Sequence, residues 1–123
     1  MRVMVIGASS DRSKFGNKAV RAFLRRGHTV LPVNPAAGTV EGLEVFAAVD
    51  SVPGPIDVAT VYVPPRVAVG VMEALGRRGD VREIWLNPGA DTPEVMSAAE
   101  RTGARAVRQC SIIAIGESPS AFR

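Results

Sequence analysis

The stretch VMVIGASSDRSKFGNKAV, residues 3–20, decides the fold of this 123-residue chain. Its opening residues are almost all apolar up to Gly7, where a polar loop rich in small and basic residues begins. Apolar residues then recur at Val20, Phe23 and Leu24, the spacing of a helix face, and a glycine follows as a typical helix stop. The stretch therefore predicts a buried strand, a loop and a helix.

The same alternation of strand and helix continues along the chain. The segments typical of buried strands are HTVLPVNP, DVATVYVPP, REIWLNPG and ARAVRQC. Apolar spacing over residues 68–75 predicts one helix between them, and Thr92 followed by Pro93 predicts the start of another. A small helix is also predicted around residues 47–51, in a stretch broken by glycine and proline.

Strands that are apolar on nearly every residue indicate a parallel sheet covered on both faces. The sequence therefore predicts a doubly wound, Rossmann-like α/β fold with a parallel sheet of about five strands. A chain of this length supports one core, so we expect a single domain over residues 1–117. Residues 118–123 have no apolar repeat and are expected to form a flexible tail.

Composition narrows the classes of function. The apolar runs are too short for a membrane span and no leader peptide is recognisable, which favours a cytoplasmic protein that does not bind membranes. Cys110 is the single cysteine, so no internal disulfide and no multi-cysteine metal site are expected. Six of the fifteen basic residues lie within residues 12–26. This local positive field suits an anion, although a solvated helix face would have the same pattern.

The topology selects the residues that can meet a ligand, because ligands of doubly wound sheets bind beyond the carboxyl ends of the strands. The loops at that edge are residues 8–16, 34–35, 63–65, 87–91 and 110–111. His28 precedes the second strand and is therefore expected at the opposite edge, in a structural or solvated role. Trp85, flanked by apolar residues within a strand, is expected in the core.

The first of these loops is suited to phosphate. A helix that begins near Gly16 directs unpaired N–H groups and its positive end toward the loop. Ser9 and Ser13, together with Ser10, offer hydroxyl donors, and Lys14 offers a charge. The alternative for the serines is that they cap or turn the chain.

The motifs of common nucleotide sites are missing. The loop reads GASSDRSKFG, without the middle glycine of G-x-G-x-x-G, and the second strand ends in Val33-Asn34-Pro35 rather than in an acid for a ribose. No G-K-[ST] sequence of a P-loop occurs. An NAD(P)-binding, oxidoreductase-like domain therefore remains the second hypothesis. A nucleic-acid binder is a weaker one, because aromatic residues are only 5% of the chain.

Four segments together resemble the family of stand-alone CoA-binding proteins: VIGASSDRSKFGNKAVRAFLRRGHTVLPVNP, VYVPP, WLNPGA and RQC. That family is similar to the CoA-binding Rossmann domain of succinyl-CoA synthetase alpha subunits and of ADP-forming acyl-CoA synthetases. The resemblance implies a nucleotide-binding protein for coenzyme A or an acyl-CoA. It implies no catalysis, because those synthetases rely on further domains that this chain does not encode, and it leaves open a homo-oligomer or another subunit that completes the groove.

The resemblance also assigns the candidate cofactor-binding residues. The first loop would hold the phosphates through Ser9, Ser13, Lys14, Phe15 and Gly16, next to Gly7 and Ala8. Asn34 and Pro35 would lie near the adenosine end. The turns at Val63, Pro64 and Pro65 and at Asn87, Pro88 and Gly89 would complete the groove. Cys110 is a further candidate, because it lies at the same edge of the sheet. Cys110 is either a partner for the CoA thiol or a small hydrophobic residue. No catalytic residue and no metal ligand are predicted.

Overall fold

The computed structural model describes residues 1–36 and 38–123 and shows an α/β domain. In chain order, the strands are β1 (Arg2–Ile6), β2 (Thr29–Val33), β3 (Thr39–Val40), β4 (Leu43–Glu44), β5 (Ile56–Val61), β6 (Val81–Leu86) and β7 (Arg105–Arg108). The helices are α1 (Phe15–Arg25), α2 (Pro65–Arg78), α3 (Pro93–Glu100) and α4 (Ser111–Ala114). Short 3-10 turns cover Val49–Ser51 and Pro119–Ala121.

Five parallel strands form the main sheet in the order β2-β1-β5-β6-β7. Strand β1 lies between β2 and β5, with Met4 opposite Leu31 on one side and Ala59 on the other. The chain adds β2 on one side of β1 and the later strands on the other. The order of strands therefore reverses between β1 and β5, which confirms the doubly wound fold and locates its crevice.

The two faces of the sheet bury separate apolar clusters. Along β1, Val3 and Val5 face a cluster with Phe23 of α1, whereas Met4 and Ile6 face a cluster that contains buried residues of α2 and α3. This alternation is the period of a strand covered on both sides. Trp85 is buried in the first cluster, as the sequence predicts.

Helix α3 begins as the sequence predicts, with Thr92 as the N-cap residue and Pro93 in the first turn. The Thr92 hydroxyl accepts a hydrogen bond from the Val95 amide at 3.3 Å.

We expect Thr92→Ala to lower the free energy of unfolding by about 1 kcal/mol, because one amide at the helix start loses its partner. Urea unfolding of Thr92→Ala and of Thr92→Ser would test this, since serine keeps the hydroxyl. An equal loss in both variants would contradict a capping role.

Three segments differ from the sequence prediction. The residues predicted as a small helix around 47–51 form only the 3-10 turn at Val49–Ser51. Strands β3 and β4 form a hairpin that the sequence does not predict, and Glu41 and Gly42 between them have φ values of 49° and 77°. Helix α4 was also missed, because four residues are too short for a visible apolar period.

The segment predicted as a flexible tail has a defined position in the structure. Phe122 is only 6% exposed and belongs to the apolar cluster that covers α1. The buried Phe122 side chain attaches this short segment to the domain. A single buried residue produces no apolar period, so the sequence pattern could not predict this contact. The domain boundary at residue 117 stays a prediction.

Candidate functional site

A pocket of about 820 Å³ opens at the carboxyl edge of the sheet, where the loops after β1 and β5 meet. Its volume is within the range of about 300–1,000 Å³ that is common for small-molecule sites. The sequence-predicted residues that line it are Gly7, Lys14, Phe15, Gly16, Val63, Pro64, Pro65, Asn87, Pro88, Gly89 and Cys110. Five other predicted residues do not line it: Ala8, Ser9, Ser13, Asn34 and Pro35.

The first turn of α1 forms one wall of this pocket. Lys14 is the N-cap residue, its backbone is extended, and its carbonyl accepts hydrogen bonds from the amides of Asn17 and Lys18 at 3.1 Å each. The amides of Phe15 and Gly16 precede these and belong to the donors that a helix start leaves without an intrahelical partner. No acidic residue lies in this turn to neutralise its positive end. The wall can therefore bind an anion through backbone donors and the Lys14 ammonium group.

Two glycines allow this helix start to rest directly on the end of β1. A Cβ atom added to Gly16 would lie 2.1 Å from the Gly7 carbonyl oxygen, so the position admits no side chain without a backbone shift. Gly7 has a φ of 90°, and a Cβ atom there would lie 3.1 Å from the Tyr62 carbonyl carbon. The loop after β1 is therefore held between α1 and the loop after β5. This explains both glycines by close backbone approach.

The serines of the first loop organise its turn. The Ser13 hydroxyl donates to Asp11 Oδ1 at 2.6 Å, and the Ser13 amide donates to the same oxygen at 3.0 Å. These two bonds lower the pKa of Asp11 from its ordinary value. The Ser9 hydroxyl accepts from the Asp11 amide at 3.1 Å. In this geometry the serines adopt the turn-forming arrangement that the sequence left open, and their contact with a ligand stays a prediction.

Asn34 ties the end of β2 to the first loop. Its Nδ2 donates to the Ala8 carbonyl at 2.8 Å, and its Oδ1 accepts from the Ala36 amide at 2.8 Å. Ala8 is fully buried and Pro35 is exposed beside the loop, outside the pocket. A role of Asn34 and Pro35 at an adenosine end stays a prediction.

A buried polar cluster supports the floor of the pocket beneath the turn at residues 87–89. Asn87 is 2% exposed, and its Nδ2 donates to Thr60 Oγ1 at 2.8 Å and to the Val61 carbonyl at 2.9 Å. Its Oδ1 accepts from the Ser111 amide at 2.8 Å, and the hydroxyls of Thr60 and Ser111 lie 2.6 Å apart. Asn87 therefore fixes the ends of β5 and β6 and the start of α4 relative to one another.

Sequence reasoning missed four lining residues of the pocket: Tyr62, Ala90, Ile113 and Pro119. Ile113 is 63% exposed and Phe15 is 53% exposed, so two large apolar side chains line the pocket where solvent can reach them. Burial raises the pKa of Tyr62, which is therefore a neutral phenol at physiological pH. The position of Tyr62 within VYVPP was the available signal, whereas Ile113 and Pro119 follow β7 in a segment without a recognisable motif.

His28 lies at the opposite edge, as predicted, with its Nδ1 3.0 Å from the Met1 amine nitrogen. Desolvation and that amine lower the pKa of His28. Within residues 1–36 and 38–123, no group of three or more His, Cys, Asp or Glu side chains is placed to hold a metal ion. In the same residues, none of the helices combines the length and hydrophobicity needed to cross a membrane.

Comparison with known proteins identifies the family of this chain. The family model of the CoA binding domain matches residues 1–116, nearly the whole chain. The chain belongs to the CoA-binding domain family. The resemblance that the sequence carries in its first loop and later turns is thereby confirmed.

Relatives of this CoA-binding domain include parts of larger enzymes. The chain is 27% identical over 114 residues to the ADP-forming acetate–CoA ligase I of Archaeoglobus fulgidus, covering 85% of this chain and 17% of that protein. It is 31% identical over 78 residues to the ADP-forming acetate–CoA ligase II subunit alpha of Pyrococcus furiosus, covering 63% and 17%. The chain thus spans about one-sixth of the length of these ligases.

A solved stand-alone protein has nearly the same extent as this CoA-binding domain. It is a conserved hypothetical protein from Pyrococcus furiosus, with a TM-score of 0.85, 31% identity, and coverage of 92% of this chain and 97% of that one. The acetyl-coenzyme A synthetase 1 of Ca. Korarchaeum cryptofilum, solved with phosphate and ADP, has a TM-score of 0.74 and 31% identity, over 85% of this chain and 25% of that one. The fold therefore occurs both alone and inside a synthetase.

Proposed function

We propose that this domain binds coenzyme A or an acyl-CoA in the pocket at the β1/β5 crevice, with a phosphate group of the cofactor at the start of α1. The pocket supplies both kinds of surface that CoA presents. At one wall are the amides of Phe15 and Gly16 and the Lys14 ammonium group, which suit a pyrophosphate. The other walls include Val63, Pro64 and Ile113, which suit the less polar arm that ends in the thiol.

The observation that supports this proposal most is the position of the α1 start within the lining of the large pocket at the crevice of the sheet. A helix start without a side-chain cap and with no acidic residue in its first turn is expected to attract an anion, and here it opens into a space large enough for a cofactor. An NAD(P) dinucleotide is disfavoured, because Asn34 rather than an acid ends β2 and its side chain is bonded to Ala8 and Ala36.

We propose no catalytic step for this chain on its own. The domain is homologous to a part of ADP-forming ligases, and the chain spans about one-sixth of their length. We infer a role as a CoA carrier, a sensor or an interaction partner. The cytoplasmic location and the possible homo-oligomer stay predictions.

A thermal unfolding series would test the proposed ligand. The protein is heated alone and with CoA, acetyl-CoA, NAD, NADP or ATP at equal concentrations. A ligand that binds only the native state at a concentration of about 100 times its Kd stabilises that state by about 2.7 kcal/mol. We expect the highest Tm with CoA or acetyl-CoA. A rise with NAD and none with CoA would show that the proposed function is wrong.

We expect Lys14→Ala to weaken CoA binding by roughly tenfold, because one charge-assisted contact to phosphate is lost. Isothermal titration calorimetry of this variant against the unaltered protein measures the change. Arg82→Ala is the matched control, since Arg82 is an exposed cation near the start of β6, at the opposite edge. An unchanged Kd in Lys14→Ala would remove Lys14 from the site.

A further inference from the structure

The C-terminal segment, residues 117–123, lies beyond the part of the chain that the family model matches, yet it is bound to α1. Phe122 is 6% exposed, and the guanidinium groups of Arg21 and Arg25 each lie 5.7 Å from the centre of its ring. Both cations come from consecutive turns of α1, and each makes a cation–π contact with the ring. The segment is therefore anchored on the helix whose start lines the pocket.

A second attachment lies at the beginning of the segment. Arg26 Nε donates to Glu117 Oε1 at 2.8 Å, and Arg26 Nη2 donates to the Gly116 carbonyl at 2.7 Å. The Glu117 side chain is only 11% exposed, and Arg25 Nε lies 3.7 Å from the same oxygen. These contacts attach the beginning of the segment to the C-terminal end of α1.

Between these two attachments, the segment contributes to the pocket. Pro119 lines it, and the preceding helix α4 contributes Ile113. Because Glu117 and Phe122 fix both sides of the short turn at Pro119–Ala121, they also fix Pro119 against the pocket. If the segment detached, the pocket would lose this wall.

Arg21 connects the segment to the first loop. Its Nη1 donates to the Arg123 carbonyl at 3.0 Å, and its Nη2 donates to the Arg12 carbonyl at 2.8 Å. Its Nε donates to Asn17 Oδ1 at 2.7 Å, and Asn17 Nδ2 in turn donates to the Ser9 carbonyl at 2.8 Å. One planar guanidinium thus bonds both the C-terminal segment and the loop proposed to face phosphate.

We propose that residues 117–123 form part of the CoA site and are coupled to the first loop through Arg21. Docking of the segment on α1 and binding of CoA then stabilise each other. This inference rests on the proposed function. Phe122, Glu117 and Arg21 are positioning residues, which act through Pro119 and the loop rather than by touching the cofactor. Coupling of this kind is reciprocal, because a ligand that binds the docked form better must also favour docking.

Titration calorimetry on the full chain and on three variants tests the proposal: Phe122→Ala, Arg21→Lys and a chain that ends at Glu117. We expect Phe122→Ala and the shortened chain to bind CoA about tenfold more weakly, the change expected if the docked form falls to about one-tenth of the population. Arg21→Lys keeps the positive charge but loses the planar set of N–H donors that bonds both segments. We expect this variant to lose less affinity for CoA than Phe122→Ala. Arg82→Lys is the matched control for Arg21→Lys, because Arg82 is an exposed cation near the start of β6, at the opposite edge of the sheet, and this variant should bind as the full chain does.

Hydrogen exchange of the full chain supplies the reciprocal measurement. We expect saturating CoA to slow exchange at the amides of Ala121 and Phe122, which donate to Ser118 and Pro119 carbonyls. This readout needs no substitution, so it stands even where a variant fails to fold.

The outcomes separate the two proposals. If the full chain does not bind CoA, the proposed function and this inference both fall. In a second outcome, the full chain binds CoA, the folded Phe122→Ala and shortened variants bind it with the same Kd, and exchange at Ala121 and Phe122 is unchanged. That outcome overturns only the role of the segment. Weaker binding in the variants together with slowed exchange supports it.

Discussion

Gly16→Ala is expected to lower the free energy of unfolding by about 3 kcal/mol and to weaken CoA binding by more than tenfold. The added methyl group would lie 2.1 Å from the Gly7 carbonyl oxygen, which is backbone and cannot rotate away. Relief requires the start of α1 to move from the end of β1. That movement displaces the amides of Phe15 and Gly16, which we propose as phosphate donors. Urea unfolding and CoA titration of the same variant measure both effects.

Gly70→Ala is the matched control for this change. Gly70 lies within α2, and a Cβ atom there would meet no heavy atom within 4 Å. We expect this variant to gain about 0.5–1 kcal/mol of stability, because alanine favours a helix over glycine. If Gly16→Ala behaved like Gly70→Ala, the close approach between α1 and β1 would be refuted.

Asn87→Ala is expected to lower the free energy of unfolding by about 3 kcal/mol or more, because it removes three hydrogen bonds made by a buried side chain. The Thr60 hydroxyl, the Val61 carbonyl and the Ser111 amide would each lose a partner at a site with little access for water. Since Asn87 also lines the pocket, we expect weaker CoA binding by the folded fraction. Denaturant unfolding at fixed temperature measures the loss of stability.

Asn34→Ala provides the comparison for that experiment. Asn34 also follows a strand and also bonds two backbone groups, but it is only half-buried, so water can replace its bonds. We expect a loss of about 1 kcal/mol. Equal losses in the two variants would contradict the importance assigned to the buried cluster.

The sequence was sufficient to predict the main sheet and the edge of the sheet at which the pocket lies. Strands such as β1 and β5 are buried on both faces, so their apolar runs are uninterrupted and easy to recognise. The residues that end these apolar runs, Gly7 and Pro64-Pro65, were also recognisable in the sequence. Once the fold was assigned, the rule that ligands bind at the carboxyl edge selected five loops, of which four contribute lining residues to the pocket and one, residues 34–35, does not.

What the sequence could not predict depends on contacts between distant segments. Ser13 was expected to face phosphate, but whether its hydroxyl meets a ligand or Asp11 depends on the exact turn. Phe122 was assigned to a flexible tail, because the two arginines that hold it lie about a hundred positions earlier in the chain. Pro119 lines the pocket because that tail folds back, and Ile113 lies in the short helix α4 that precedes the tail. Such residues carry no local period or motif.

A crystal structure of the protein with CoA tests the central claim most directly. We predict a phosphate group of the cofactor within hydrogen-bond distance of the amides of Phe15 and Gly16, close to the Lys14 ammonium group, and the thiol arm in the pocket beside Val63 and Pro64. A complex in which CoA occupies another surface while this pocket stays free of the cofactor would contradict the account.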